Sequence, residues 1–191
     1  MQNNYVTELS FDFEYDTTQV KKIIDGYKDI NQYMIFPYPK EAIDPRLLKI
    51  VDDLGLYISH QEMFYTPPHG KLPIHVDQYV LSNMAKLNWV FGAEGSHNVW
   101  WKPKNPDPKT FKYYTTPIGT QYIYFEEKDV DEVYRYATGI STFFNAGIAH
   151  SVDNPTDEGR WCLCHCICLK GTRRMIEMPE VHKIFQNYLK N

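Results

Sequence analysis

No run of this sequence approaches the roughly 18 consecutive apolar residues that a membrane-crossing helix requires. Its first residues, Met1-Gln2-Asn3-Asn4-Tyr5, lack the basic start and apolar run of a secretory leader. Neither a membrane partner nor a leader is expected. Cysteine is scarce and crowded: there are four in 191 residues, all between Cys162 and Cys168, which is no framework for stapling a fold. The expectation is a soluble protein of a reducing compartment, cytoplasmic by default. Positive charge is not in excess either. With 20 Lys and Arg against 24 Asp and Glu, the formal charge is -4, so nothing draws the chain to phosphate backbones and nucleic acid is not an expected partner. A small-molecule or peptide partner fits better. Linkers, internal repeats and low-complexity segments are absent, and the length suffices for one hydrophobic core, so residues 1–191 are expected to form a single domain.

What is present is a strand-rich chain with helical ends. Residues 11–15 alternate like an edge strand, and Asp16, Thr17 and Thr18 offer capping oxygens to a helix carrying Val20, Ile23, Ile24 and Tyr27 at helical spacing. A second helix is predicted after Asp44, with Pro45 in its first turn and Gly55 as its stop. From Leu56 the texture changes to short runs rich in Tyr, Trp, Val, Ile and Thr, separated by Pro, Gly, Asn and Asp. Strands are predicted at 56–66, 72–77, 84–91, 97–102, 121–126, 133–136, 141–144, 148–152 and 161–169. A closing helix at 178–189 carries Val181, Ile184, Phe185 and Tyr188 as one stripe. Many short strands flanked by helices predict a mainly β fold, a double-stranded β-helix (jelly roll) of the cupin kind that holds a ligand between its sheets. Residues 102–110 carry Pro103, Pro106 and Pro108 and read as a loop. The segment 102–116 is long enough to be a lid.

The chemistry centres on Ile74-His75-Val76-Asp77. Residues two apart on a strand share a face, so His75 and Asp77 start on one side. Same-face neighbours on a straight strand are about 6.6 Å apart, whereas ligands of one metal ion at bonds of about 2.1 Å must converge. The strand should therefore end, and the chain bend, near Asp77. An isolated His-x-Asp is also a common surface pairing, so a third ligand is needed. The candidate is His150, in Ile148-Ala149-His150-Ser151-Val152 before the turn at 154–159, with Arg160 opening the next strand. A hairpin of that length would put His150 and Arg160 on adjacent antiparallel strands.

His75-x-Asp77, then His150, then Arg160 resembles the pattern of Fe(II)/2-oxoglutarate-dependent oxygenases. His150-Ser-Val-Asp-Asn154 followed by Arg160 looks most like the aspartyl/asparaginyl β-hydroxylase-like branch. The resemblance covers roughly residues 72–169. It implies that His75, Asp77 and His150 form a facial triad on Fe(II), with open positions for 2-oxoglutarate as co-substrate and for O₂. It further implies that Arg160 grips the remote carboxylate of the co-substrate with its two-pronged guanidinium. The implied reaction is oxidative decarboxylation to succinate and CO₂ coupled to hydroxylation of a C–H bond. The substrate would be a small molecule, an amino acid or a residue in a peptide.

Some positions depart from the pattern or stay open. Where the family often has Ser two residues after the arginine this chain has Cys162, a poorer donor to the co-substrate. Leu87-Asn88 matches a Leu-Asn pair of the branch, which would let Asn88 donate to 2-oxoglutarate, although an edge or turn asparagine reads the same way. Trp100 or Trp101 could wall the cavity or belong to the core. Cys162, Cys164, Cys166 and Cys168 share a strand face, but neighbours about 6.6 Å apart cannot converge on a tetrahedral metal. They read instead as small side chains leaving room inside the barrel. His60, His69, His97, His165 and His182 read as structural or surface residues, with His69 close enough to the ligand strand to touch substrate. Two other functions fit the same residues: a jelly-roll metal enzyme that works without 2-oxoglutarate, as an isomerase or substrate-chelating dioxygenase, and a non-catalytic metal- or sugar-binding module.

Overall fold

The structure, a computed structural model, describes residues 3–13, 17–27, 31–115, 121–137 and 141–190. Its strands are β1 (Val6–Glu8), β2 (Met34–Pro37), β3 (Leu56–Thr66), β4 (Lys71–Val76), β5 (Ala85–Phe91), β6 (His97–Pro103), β7 (Lys112–Thr115), β8 (Gln121–Tyr124), β9 (Val130–Ala137), β10 (Thr142–Asn145), β11 (His150–Asp153) and β12 (Arg160–Leu169). Its helices are α1 (Thr17–Tyr27), α2 (Pro45–Asp53) and α3 (Met178–Ile184). Among the described residues no helix is long and apolar enough to cross a membrane.

The strands form two six-stranded sheets, one in the order β1-β10-β5-β12-β3-β2 and the other in the order β7-β8-β4-β11-β6-β9. Every pairing is antiparallel. The pairs are nested: β3 lies on β12, β4 on β11, β5 on β10 and β6 on β9. Successive members of each arm alternate between the two sheets, which is the winding of a jelly roll. The fold is thus mainly β, a double-stranded β-helix with helices flanking its first sheet. The short β7 and β8 are inserted between the two arms and extend the second sheet through β8 on β4.

This winding corrects one expectation. His150 and Arg160 do not lie on hydrogen-bonded neighbours, because the turn between β11 and β12 carries the chain from one sheet to the other. Both side chains line the interior cavity between the sheets instead. Residues 102–110 are likewise no bare loop, and of the lid segment 102–116 the last residue lies outside the described residues. Strand β6 runs on through Pro103, a helical turn occupies Pro108–Thr110, and β7 begins at Lys112. Residues 11–13 are not a strand, while Glu14, Tyr15 and Asp16 fall outside the described residues. The pairing that the sequence placed there belongs to β1 and β2, too short to show a period.

The first sheet is covered on both faces, so β12 is buried almost throughout, as expected for a strand sandwiched between layers. Its odd-numbered residues Trp161, Leu163 and Ile167 join Leu47 and Val51 of α2, Met178 and Val181 of α3, and the α3 cap Phe185 in the main core. The even-numbered residues Arg160, Cys162 and Cys164 line an interior cavity. The helix α2 begins as the sequence requires, with the Asp44 carboxylate accepting from the Arg46 amide at 2.7 Å and Pro45 in the first turn. The helix α3 stops at Ile184, one turn or more short of 189, with Phe185 as its cap.

Candidate metal centre

The ligand strand β4 ends at Val76 and the chain bends at once. The Asp77 amide donates to the Ala146 carbonyl at 3.2 Å, which ties the bend to the turn that precedes His150. That turn needs Gly147, because a Cβ there would sit 2.3 Å from Ser82 Oγ and 2.6 Å from the Met84 nitrogen. Meanwhile β11 pairs with β4 so that His150 stands opposite His75, with ring centroids 4.4 Å apart. Asp77 Oδ1 lies 3.1 Å from His75 Nε2 and 3.9 Å from His150 Nε2. The three ligand atoms lie within 4.8 Å of one another, whereas ligands at right angles on bonds of about 2.1 Å sit about 3 Å apart, so a bound ion would draw them together. His75, Asp77 and His150 are the one group of three potential ligands brought together among the described residues.

The tautomers are set for ligation. His75 Nδ1 lies 2.8 Å from the Pro73 carbonyl and His150 Nδ1 lies 2.9 Å from the Ile148 carbonyl. A carbonyl only accepts, so each Nδ1 carries the proton and donates it, leaving the Nε2 lone pair facing Asp77. Burial first, and then the neighbouring His75, push the His150 pKa down to about 3, so its ring is neutral at physiological pH.

Asp77 has a second partner that spacing did not disclose. Lys86, on β5 of the opposite sheet, places Nζ 2.6 Å from Asp77 Oδ2, and each side chain is 13% exposed. Burial would raise the Asp77 pKa, yet the Lys86 charge holds the carboxylate well below its usual range. Burial would correspondingly lower Lys86, and Asp77 more than reverses it. Both groups are charged at neutral pH.

The triad opens on a cavity of about 220 Å³. Its inner end holds Arg160, which is 2% exposed. Arg160 Nη2 donates to Asn98 Oδ1 at 3.0 Å, and no carboxylate pairs with it among the described residues. Burial lowers its pKa, opposed chiefly by Cys162, whose own thiol is pushed up by burial. Arg160 Nε, Asn98 Nδ2 and Asn88 Oδ1 are buried atoms without a hydrogen-bond partner, and all three residues line the cavity. Tyr33, Phe64, Tyr122 and Tyr124 wall it, with Glu62 on the β3 side. His75 packs near the rings of Tyr122 and Tyr124.

The structure therefore gathers His75, Asp77, His150, Arg160, Asn88 and Cys162 around one chamber. Trp100 is not among them. It is fully buried in a separate cluster with Val6, Met84 and Phe144, and its indole donates to the Asn145 carbonyl at 2.9 Å. Phe144, which does line the cavity, stands between Trp100 and the ligands, edge-on to His150 at 4.8 Å. Cys164 also lines the chamber, whereas Cys166 and Cys168 do not. His69 pairs with the exposed Asp157, and His165 is buried on the far side of β12 against the Leu87 carbonyl. Lys86 and Asn98 are the residues that sequence reasoning missed.

Fold and site together define a jelly-roll chain with a two-histidine, one-carboxylate centre. No family model matches the sequence, and no curated protein matches it either. Among solved structures, HygX from Streptomyces hygroscopicus with nickel and 2-oxoglutarate bound aligns with a TM-score of 0.46 and 10% identity over 81% of this chain and 77% of that one. Oxalate oxidase in complex with the substrate analogue glycolate aligns with a TM-score of 0.35 and 12% identity over 82% and 66%. Oxalate decarboxylase from Bacillus subtilis gives 0.30 and 11% over 61% and 22%, so this chain spans under a quarter of that protein. Likenesses at this level carry no functional weight, and the fold assignment rests on the nested strand pairing.

Proposed function

We propose that this chain is an Fe(II)- and 2-oxoglutarate-dependent oxygenase, one domain over 1–191, that hydroxylates a C–H bond of a small-molecule, amino-acid or peptide substrate. The aspartyl/asparaginyl β-hydroxylase-like branch is the assignment its motifs favour. The observation that carries the reading is the buried, carboxylate-free Arg160 at the inner end of the triad's cavity. Arg160 bonds to Asn98, and Asn98 lies opposite Val152, one same-face step from His150. That step is about 6.6 Å. A five-carbon dicarboxylate, with carbon–carbon bonds of about 1.5 Å, spans on the order of 5 Å between its ends. A dicarboxylate of that length matches the step between His150 and the residue opposite Asn98, the partner of Arg160.

When bound, the iron and 2-oxoglutarate supply the oxidative decarboxylation by O₂ that drives hydroxylation. The protein's own groups do the rest. His75 and His150 present fixed Nε2 lone pairs, and Asp77 gives the one charged oxygen that makes the donor set suit a divalent cation. Arg160 Nε and Asn98 Nδ2 are buried donors without a partner that a carboxylate would satisfy, and the Asn88 side-chain NH₂ would be the group that donates to the keto acid. Apolar and aromatic walls exclude water from the chamber.

The test is anaerobic addition of Fe(II) and 2-oxoglutarate, which should develop a weak visible charge-transfer band, followed by a substrate screen that monitors succinate release. No band, together with unchanged 2-oxoglutarate affinity in Arg160→Ala, overturns the reading in favour of a jelly-roll metal enzyme that works without this co-substrate.

A further inference from the structure

Asp77 divides its two oxygens between two jobs. Oδ1 faces the histidine nitrogens, while Oδ2 takes the Lys86 ammonium at 2.6 Å. The partners come from opposite sheets, Asp77 just past β4 and Lys86 from the inner face of β5. Asp77 is the sole ion-pair partner of Lys86 among the described residues. Glu62, the other acid in the chamber, is paired with His60 at 3.1 Å. Neither the helices nor the main core requires a lysine here, because the outer face of β5 supplies the packing through Ala85 and Leu87.

We propose that Lys86 is a positioning residue for the metal centre, one that keeps Asp77 a single-oxygen ligand and adds a positive charge that draws a dianionic co-substrate. The inference rests on the reading of the centre given above. Charge-assisted hydrogen bonds are the strong ones in a water-poor cavity, so Oδ2 cannot turn towards a metal without breaking the lysine contact. Three protein donors then occupy three positions. Freed from Lys86, the carboxylate could chelate through both oxygens and take a fourth position, leaving a chelating co-substrate the last two and none for O₂. The ammonium also gives metal and ligands together one more positive charge than the triad alone supplies. That favours an incoming dianion over a neutral molecule.

The test compares the full chain with Lys86→Met and Lys86→Arg, loaded anaerobically with Co(II) or Fe(II). The Co(II) absorption reports ligand number, and titration of the Fe(II) band reports 2-oxoglutarate affinity. In Lys86→Met the Co(II) bands should shift and 2-oxoglutarate affinity should fall about 10- to 100-fold, the scale on which outer partners of metal ligands act. Lys86→Arg should restore both, which a merely structural role for the side chain would not require. A wild-type Co(II) spectrum and wild-type affinity in Lys86→Met overturn the proposal. Lys86→Gln, a neutral donor within reach of Oδ2, carries the test where the methionine variant does not fold: its affinity should fall while its Co(II) spectrum stays that of the wild type, and wild-type affinity there overturns the role of charge. A wild-type chain that binds Co(II) but no 2-oxoglutarate, with bands that still shift in Lys86→Met, sinks the oxygenase reading and leaves the ligand role of Lys86 standing.

Discussion

Arg160 and Asn98 join the two sheets at the inner end of the cavity, the guanidinium donating to the amide oxygen at 3.0 Å. A buried cation whose bonded acceptor is neutral is costly to the fold, a cost that the proposed function accounts for by giving Arg160 a ligand to hold.

Arg160→Met should therefore separate the two. Chemical denaturation of the metal-free chain should find the variant at least as stable as wild type, since a desolvated charge has been exchanged for apolar volume. Co-substrate affinity should collapse while metal affinity stays close to that of the parent. Arg160→Lys should recover only part of the affinity, because an ammonium lacks the planar fork. A clearly destabilised Arg160→Met would assign the residue to the architecture instead.

The Asp77–Lys86 pair should show the opposite sign. Removing one partner leaves the other charge buried, so Asp77→Leu should cost the chelator-treated chain on the order of 3 kcal/mol. The double variant Asp77→Leu with Lys86→Met should regain most of that loss, because neither charge remains. Urea unfolding of the four chains of this cycle measures the coupling. A double variant no more stable than Asp77→Leu would place the cost in packing rather than in charge.

The gathering of His75, Asp77, His150 and Arg160 around one cavity was legible because it is tied to order and spacing: a bend after His-x-Asp, then a distant histidine, then an arginine one turn later. The alternating runs likewise announced a strand-rich fold. Lys86 and Asn98 were not legible for a physical reason. In Ala85-Lys86-Leu87-Asn88 the alternation reads as apolar residues facing in and polar ones facing water, yet here the apolar face lies under the helices and the polar face lines the cavity. Alternation gives the period of a strand but not which side is wet. The same blindness misplaced Trp100, whose strand position is right for the interior but whose ring lies behind Phe144. Sheet partnership was also hidden: a short turn reads as a hairpin, while the jelly roll uses the one at 154–159 to change sheets.

Metal should stabilise the chain measurably, because both histidine rings are already held through Nδ1 by backbone carbonyls. A divalent cation at about 100 times its dissociation constant adds about 2.7 kcal/mol, which for a chain of this size raises Tm by about 5 to 10 °C. Thermal unfolding with Mn(II), and again with chelator, should show that difference in wild type and lose it in His75→Ala and in His150→Ala. An equal rise in either variant would place the binding elsewhere.

The acid side of the stability curve follows from two buried histidines. Burial and the neighbouring His75 hold the His150 pKa at about 3, and burial holds His165 at about 4. In the unfolded chain both return to about 6.5. Below that pH the unfolded state takes up protons that the folded state refuses. Stability is therefore whole above about pH 6.5 and declines as pH falls, at up to about 1.4 kcal/mol per pH unit for each ring. Between pH 7 and pH 5 each should contribute a loss of about 2 kcal/mol, a window that closes before the depressed Asp77 carboxylate begins to protonate. Urea unfolding of the metal-free protein at pH 7 and pH 5 should register the fall, and His165→Leu should remove about half of it. A loss that His165→Leu leaves unchanged would mean that this ring gains its proton in the folded chain as readily as in the unfolded one.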